Sequence, residues 1–125
     1  VNKYPVVNIT INPKNKVMNS KVWIGLLGVK PKNANIIIGG AAGAYTNILA
    51  CAQTEDQFIK KVKLFLEDNF LEFIEIEDVE PFQERIANYS VDQELVDLAK
   101  VVLKMGETRI GTLDTYDSEE ESEND

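Results

Sequence analysis

Residues 33 to 54 run for 22 positions without a charged side chain and divide the charges of the chain unequally. Ahead of the run's end stand six lysines and no acid; every acidic residue comes later, beginning with Glu55. A run this long without charge either enters a core or crosses a membrane. Its length suits a spanning helix, which needs about 20 residues. Its content does not, because three glycines, three asparagines, two threonines and a glutamine leave too few strongly apolar side chains to offset backbone transfer into lipid. The run is therefore expected to be the structural pivot of a soluble domain.

At 125 residues the chain suits one domain with one core. Lys21 to Lys30 is short, apolar throughout and closed by Pro31, which marks a strand rather than a helix. Alternation sends Val22, Ile24 and Leu26 to one face and Trp23, Leu27 and Val29 to the other, so both faces need cover. The later part of the uncharged run, Ala44 to Ala52, reads as a strand pairing back on it. Short side chains at Ala50 and Ala52 leave room for a helix across the sheet.

That helix is expected over Thr54 to Asn69. Thr54 and Gln57 have the spacing of a capping box, and Glu55 and Asp56 suit the positive end of the helix dipole. Phe58, Ile59, Val62, Phe65 and Leu66 form one apolar stripe, while Lys60, Lys61, Lys63 and Glu67 form a solvated face. Leu71 to Val79 returns to strand chemistry, with Ile74 and Ile76 on one face and Glu75 and Glu77 on the other. A strand, helix, strand succession predicts a crossover and hence parallel directions for the strands at residues 44–52 and 71–79. Pro81 starts a short helix with Phe82, Ile86 and Tyr89 inward. Ser90 and Gln93 cap a further helix with Leu95, Leu98, Ala99 and Val102 inward, and Gly106 ends it. A last strand is expected over Glu107 to Tyr116.

Before all of these, Val7, Ile9 and Ile11 alternate with polar neighbours between Pro5 and Pro13, so residues 1–20 read as an N-terminal edge strand or a leader. Residues 21–116 form the domain. Residues 117–125 carry six acids and no apolar side chain, and are expected to be a disordered tail. The fold expected is α+β: one small mixed or antiparallel sheet of four to five strands, two main helices packed on one face, in the order β-β-β-α-β-α-α-β.

Charge limits the partners. The net charge of −8 falls to −2 for residues 1–116 once the tail is set aside, and there is no basic run, so binding to nucleic acid is not expected. The absence of histidine excludes the usual zinc sites and every Ser-His or Cys-His nucleophile pair, and the single cysteine, Cys51, excludes an internal disulfide. Cys51 reads as a packed small hydrophobe. Residues 1–17 lack the apolar core of about 7 to 15 residues that a secretory signal carries. The bacterial cytoplasm is the expected location.

No constellation points to catalysis, so no catalytic residue, metal ligand or cofactor is assigned. Gly39, Gly40 and Gly43 lack the lysine of a Walker loop and the spacing of a dinucleotide fingerprint, and they precede a strand; they read as a turn or bulge. Glu72, Glu75, Glu77, Asp78 and Glu80 lack the spacing of a calcium loop, but Glu75 and Glu77 share a strand face and suggest a linear acidic strip.

At Gly39-Gly40-Ala41-Ala42-Gly43-Ala44-Tyr45-Thr46-Asn47, then at Glu77-Asp78-Val79-Glu80-Pro81 and Gly111-Thr112-Leu113-Asp114-Thr115-Tyr116, the chain resembles small uncharacterised bacterial α+β domains, some of them immunity-protein-like. The resemblance spans roughly residues 21 to 116. It implies a small mixed sheet with helices on one side, and transfers no functional residue.

Two functions are expected to compete. One is a non-catalytic, protein-binding module, an immunity or antitoxin-like inhibitor whose acidic strip at Glu72, Glu75, Glu77, Asp78 and Glu80 engages a basic partner such as a nuclease toxin. The other is a ligand-binding or regulatory domain, dimeric through an apolar sheet face, using Gly39, Gly40, Gly43, Trp23 and Tyr45.

Overall fold

A computed structural model describes residues 20–32 and 41–117. The strand expected at residues 4–12, the approach at Ile36 to Ile38 and the acidic tail beyond Asp117 lie outside the described residues.

The sheet is built around β1 (Lys21–Pro31), which has antiparallel neighbours on both sides, β2 (Gly43–Ala52) and β3 (Leu71–Pro81). Because each is antiparallel to β1, β2 and β3 run parallel to one another, as expected of a crossover through α1 (Glu55–Asp68), with β1 between them. The outer edge of β2 takes two short antiparallel strands, β4 (Arg109–Ile110) and β5 (Asp114–Tyr116). The last strand is thus interrupted at residues 111–113, where the Gly111 N–H donates to the Asn47 carbonyl at 2.9 Å. The result is an α+β fold with one antiparallel sheet of five strands and, with α2 (Phe82–Asn88) and α3 (Gln93–Met105), three helices among the described residues.

The helices do not share a face. Phe58, Val62 and Leu66 of α1 pack on Leu27, Val29, Ala44, Ile48, Ala50 and Ala52, with Trp23 beside them. On the opposite face, Phe82 of α2 and Ala99 and Val102 of α3 pack on Val22, Ile24 and Leu49. The register confirms the division, since Trp23 stands across from Ala50 and Ile24 across from Leu49. The expectation of two main helices on one face is corrected for a reason present in β1: its side chains are apolar on both faces, and each face draws its own cover. The apolar face left open for a homodimer is therefore covered by α1. Each fully buried Phe or Leu contributes about 1.5–3 kcal/mol, against about 0–1 kcal/mol for an exposed ion pair, so burial on both faces decides the architecture.

Local signals set the ends of the helices. The Thr54 hydroxyl accepts from the Gln57 N–H at 3.2 Å, and the Gln57 carboxamide accepts from Gln53 N–H at 2.9 Å, one residue before the cap. Two lysines of the face read as solvated tie α1 to the sheet: Lys61 Nζ donates to the Cys51 carbonyl at 2.7 Å, and Lys63 Nζ lies 5.2 Å from the centroid of the Phe73 ring. For α3 the cap is Asp92, without a side-chain cap bond, so Ser90 is not the cap. Gly106 ends α3 at φ 74°, a left-handed conformation that favours glycine. Tyr89 is exposed rather than packed inward.

Candidate functional site

The site begins with a mismatch in β3. Its apolar residues Leu71, Phe73, Ile76 and Val79 all pack with the α1 core, yet their spacing is not the period of two that an unbroken strand imposes. The register with β1 shifts twice to allow it, leaving Ile74 between Phe73 and Glu75, and Asp78 and Val79 opposite Gly25. Each extra residue reverses the facing of the residues after it. Asp78 takes φ 53°, a conformation aspartate tolerates better than most residues, and Ile74 is left exposed. Gly25 makes room here: a Cβ on it would stand 2.8 Å from Ile76 Cδ1 and 3.1 Å from Val79 Cγ2, so those side chains would have to shift.

The shifts gather the glutamates on the other face. Glu72 stands opposite Lys30, Glu75 opposite Gly28, Glu77 opposite Leu26 and Glu80 opposite Ile24. The pairing of Ile74 with Ile76 on one face is corrected by the bulge, whereas the common facing of Glu75 and Glu77 is observed. Of the five acids singled out in the sequence, Glu72, Glu75 and Glu77 form one exposed strip. Glu80 is instead paired with the Arg85 guanidinium of α2, which also donates to the Asp78 carbonyl at 2.7 Å. Asp78 sits at the bulge. A cleft of about 470 Å³ beside this pair is lined by Asp78, Val79, Glu80, Arg85, Tyr89 and Ser90.

The strip borders the half of this sheet face that lies beyond the α2 and α3 core. Here Glu75, Gly28, Tyr45 and Asp114 form one row across β3, β1, β2 and β5. The Tyr45 ring lies over Gly28 and its hydroxyl reaches a Glu75 carboxylate oxygen at 3.5 Å. Tyr116, opposite Gly43, brings its ring centroid to 5.8 Å from that of Tyr45 at a tilt of 36°. Two glycines therefore leave space for two tyrosines to lie against the sheet. The Glu75 charge, then desolvation and the neighbouring Tyr116, raises the Tyr45 hydroxyl above its ordinary value of 10.0, because each disfavours the phenolate.

The residues suggested for a ligand site do not come together. Trp23 is on the α1 face, stacked 6.2 Å from Phe58 and donating its indole N–H to the Ala52 carbonyl at 3.1 Å, while Tyr45 is on the opposite face. Gly43 accommodates Tyr116, and Gly39 and Gly40 lie outside the described residues. Cys51 is half-buried, its thiol 3.7 Å from the Val102 carbonyl; burial pushes the thiol up, only partly opposed by Lys61. That is packing chemistry rather than nucleophile chemistry.

Asp114 and Tyr116 are the members of the site that the sequence did not assign to it. In the sequence they stand with Arg109 and Thr112 on the expected last strand as residues able to face a ligand, although strand composition explains Thr112 and Tyr116 equally well, and the cross-strand register supplies the rest. No group of three or more cysteine or acidic side chains among the described residues is placed to hold a metal ion, and no helix among them is long and apolar enough to cross a membrane. No protein-family model matches the chain, and neither a curated protein nor a solved structure is similar enough to match.

Proposed function

We propose that the chain is a non-catalytic protein-binding module whose open acidic sheet face engages a basic protein surface, in the manner of an immunity or antitoxin-like inhibitor of a nuclease toxin in the bacterial cytoplasm. The observation that supports this reading is the register shift at Ile74 in β3, which brings Glu72 to the face of Glu75 and Glu77 in one exposed strip, with Asp114 in the same row as Glu75. Three carboxylates against the single lysine opposite them, Lys30, make the field negative across the strip. Such a field speeds encounter with a basic partner and loses strength as salt screens it, over about 10 Å at 0.1 M.

The test is affinity purification from the native host at low salt, with wild type and a Glu75→Lys, Glu77→Lys double variant. The reading expects a basic protein retained by wild type, released by salt and lost with the variant. Recovery of no protein, or retention indifferent to charge reversal, overturns it.

A further inference from the structure

We infer that the Tyr45 and Tyr116 pair is an arginine-reading subsite on the acidic face, seating one guanidinium of a basic polypeptide partner on the Tyr45 ring between the carboxylates of Glu75 and Asp114. The inference rests on the acidic-face reading and deepens it by naming the side chain recognised. Two features besides charge carry it. Gly28 and Gly43 clear the sheet so that both rings lie against it, exposing an aromatic surface where a Cβ would stand 2.8 Å from Tyr45 Cε1 and 2.2 Å from the Tyr116 hydroxyl. The strand register then brackets that surface with acids, since Glu75, Gly28, Tyr45 and Asp114 share one row.

A cation over an aromatic face is held by the ring quadrupole, and a carboxylate beside the ring adds charge-assisted hydrogen bonds. Guanidinium fits both demands better than ammonium. It is planar, so it stacks; it is weakly hydrated, so it desolvates readily; and its fork of donors reaches a carboxylate while the plane stays on the ring. A second copy of this chain is a poor occupant, because the same acidic strip would face itself.

The partner being unidentified, the probes are blocked hexa-arginine and hexa-lysine peptides added to the full chain at low salt. Residues 117–125 carry six acids and attract both peptides, so binding is read from the ring-proton resonances of Tyr45 and Tyr116. Hexa-arginine is expected to bind more tightly than hexa-lysine by up to about fivefold, the limit that a whole exposed cation–π contact sets, since ammonium makes part of that contact but neither stacks nor reaches the carboxylate with a planar fork. Tyr45→Leu removes that preference while leaving salt-dependent attraction of both peptides, and Tyr45→Phe keeps it. Equal affinity for the two peptides in wild type, or a preference that survives Tyr45→Leu, overturns the subsite while leaving the acidic face standing. Affinity at the rings unchanged by Glu75→Lys with Glu77→Lys overturns both. Ring resonances that shift with protein concentration in the absence of peptide place a second copy on the face and also overturn it.

Discussion

The ring of Tyr45 lies over Gly28, with Cε1 2.8 Å from where a Cβ on that glycine would stand. Gly43 has a similar relation to Tyr116, but the Val29 carbonyl oxygen also lies 2.8 Å from its Cβ position. The two glycines are thus constrained differently. A Cβ at Gly28 meets the far end of an exposed side chain that can swing away; one at Gly43 meets backbone as well.

Alanine substitution separates these cases. Gly28 is buried beneath the Tyr45 ring, and Gly28→Ala is expected to cost less than Gly43→Ala because that ring can swing off the sheet, while removing the Tyr45 to Tyr116 ring contact. Gly43→Ala is expected to cost about 1–3 kcal/mol, as overpacking does where neighbours cannot yield. Urea unfolding gives the stabilities, and cross-relaxation between the two rings reports the contact.

The Tyr45 phenol tests the electrostatics of the site. Its folded-state value lies above 10.0 chiefly through the Glu75 charge, so in the pH range between the unfolded and folded values the native state holds a proton that the unfolded chain has released. Stability contributed by this group is therefore complete below about pH 10 and declines as the pH rises through that range. Glu75→Gln is expected to lower the Tyr45 titration midpoint toward the ordinary tyrosine value. Ring-carbon resonances tracked against pH measure it, and an unchanged midpoint removes Glu75 as the cause.

Helix caps give a third contrast. Thr54 accepts a bond from the Gln57 N–H, so Thr54→Ala is expected to cost about 1 kcal/mol. Asp92, although the cap of α3, makes no side-chain cap bond, and Ser90 lies outside the helix. Substituting either by alanine is expected to cost less than half as much as Thr54→Ala. Denaturation midpoints of the three variants decide the order.

Much of this architecture is legible from local chemistry. The apolar stripe of α1 and its Thr54 cap, the two-faced apolar pattern of β1, the return strand through Ile48 and Ala50, and the Gly106 stop all come from periodicity or backbone preference, which act within a few residues. The absence of histidine, the lone Cys51 and the concentration of acids after residue 54 likewise belong to the sequence. Glu75 and Glu77 already shared a face by alternation.

Only the tertiary structure decided where these elements went. Whether α1 and α3 shared a face depended on which side of β1 claimed which stripe, a competition between distant segments that no local pattern records. The bulges at Ile74 and Asp78 arose because Phe73, Ile76 and Val79 all had to reach the α1 core, and in yielding to that burial the strand turned Glu72 and Glu75 to one side. The meeting of Tyr45 with Gly28, Glu75, Asp114 and Tyr116 joins four strands drawn from nearly the whole length of the domain. A sequence states which side chains are available; cross-strand register, set by the sum of all buried contacts, determines which of them stand in one row.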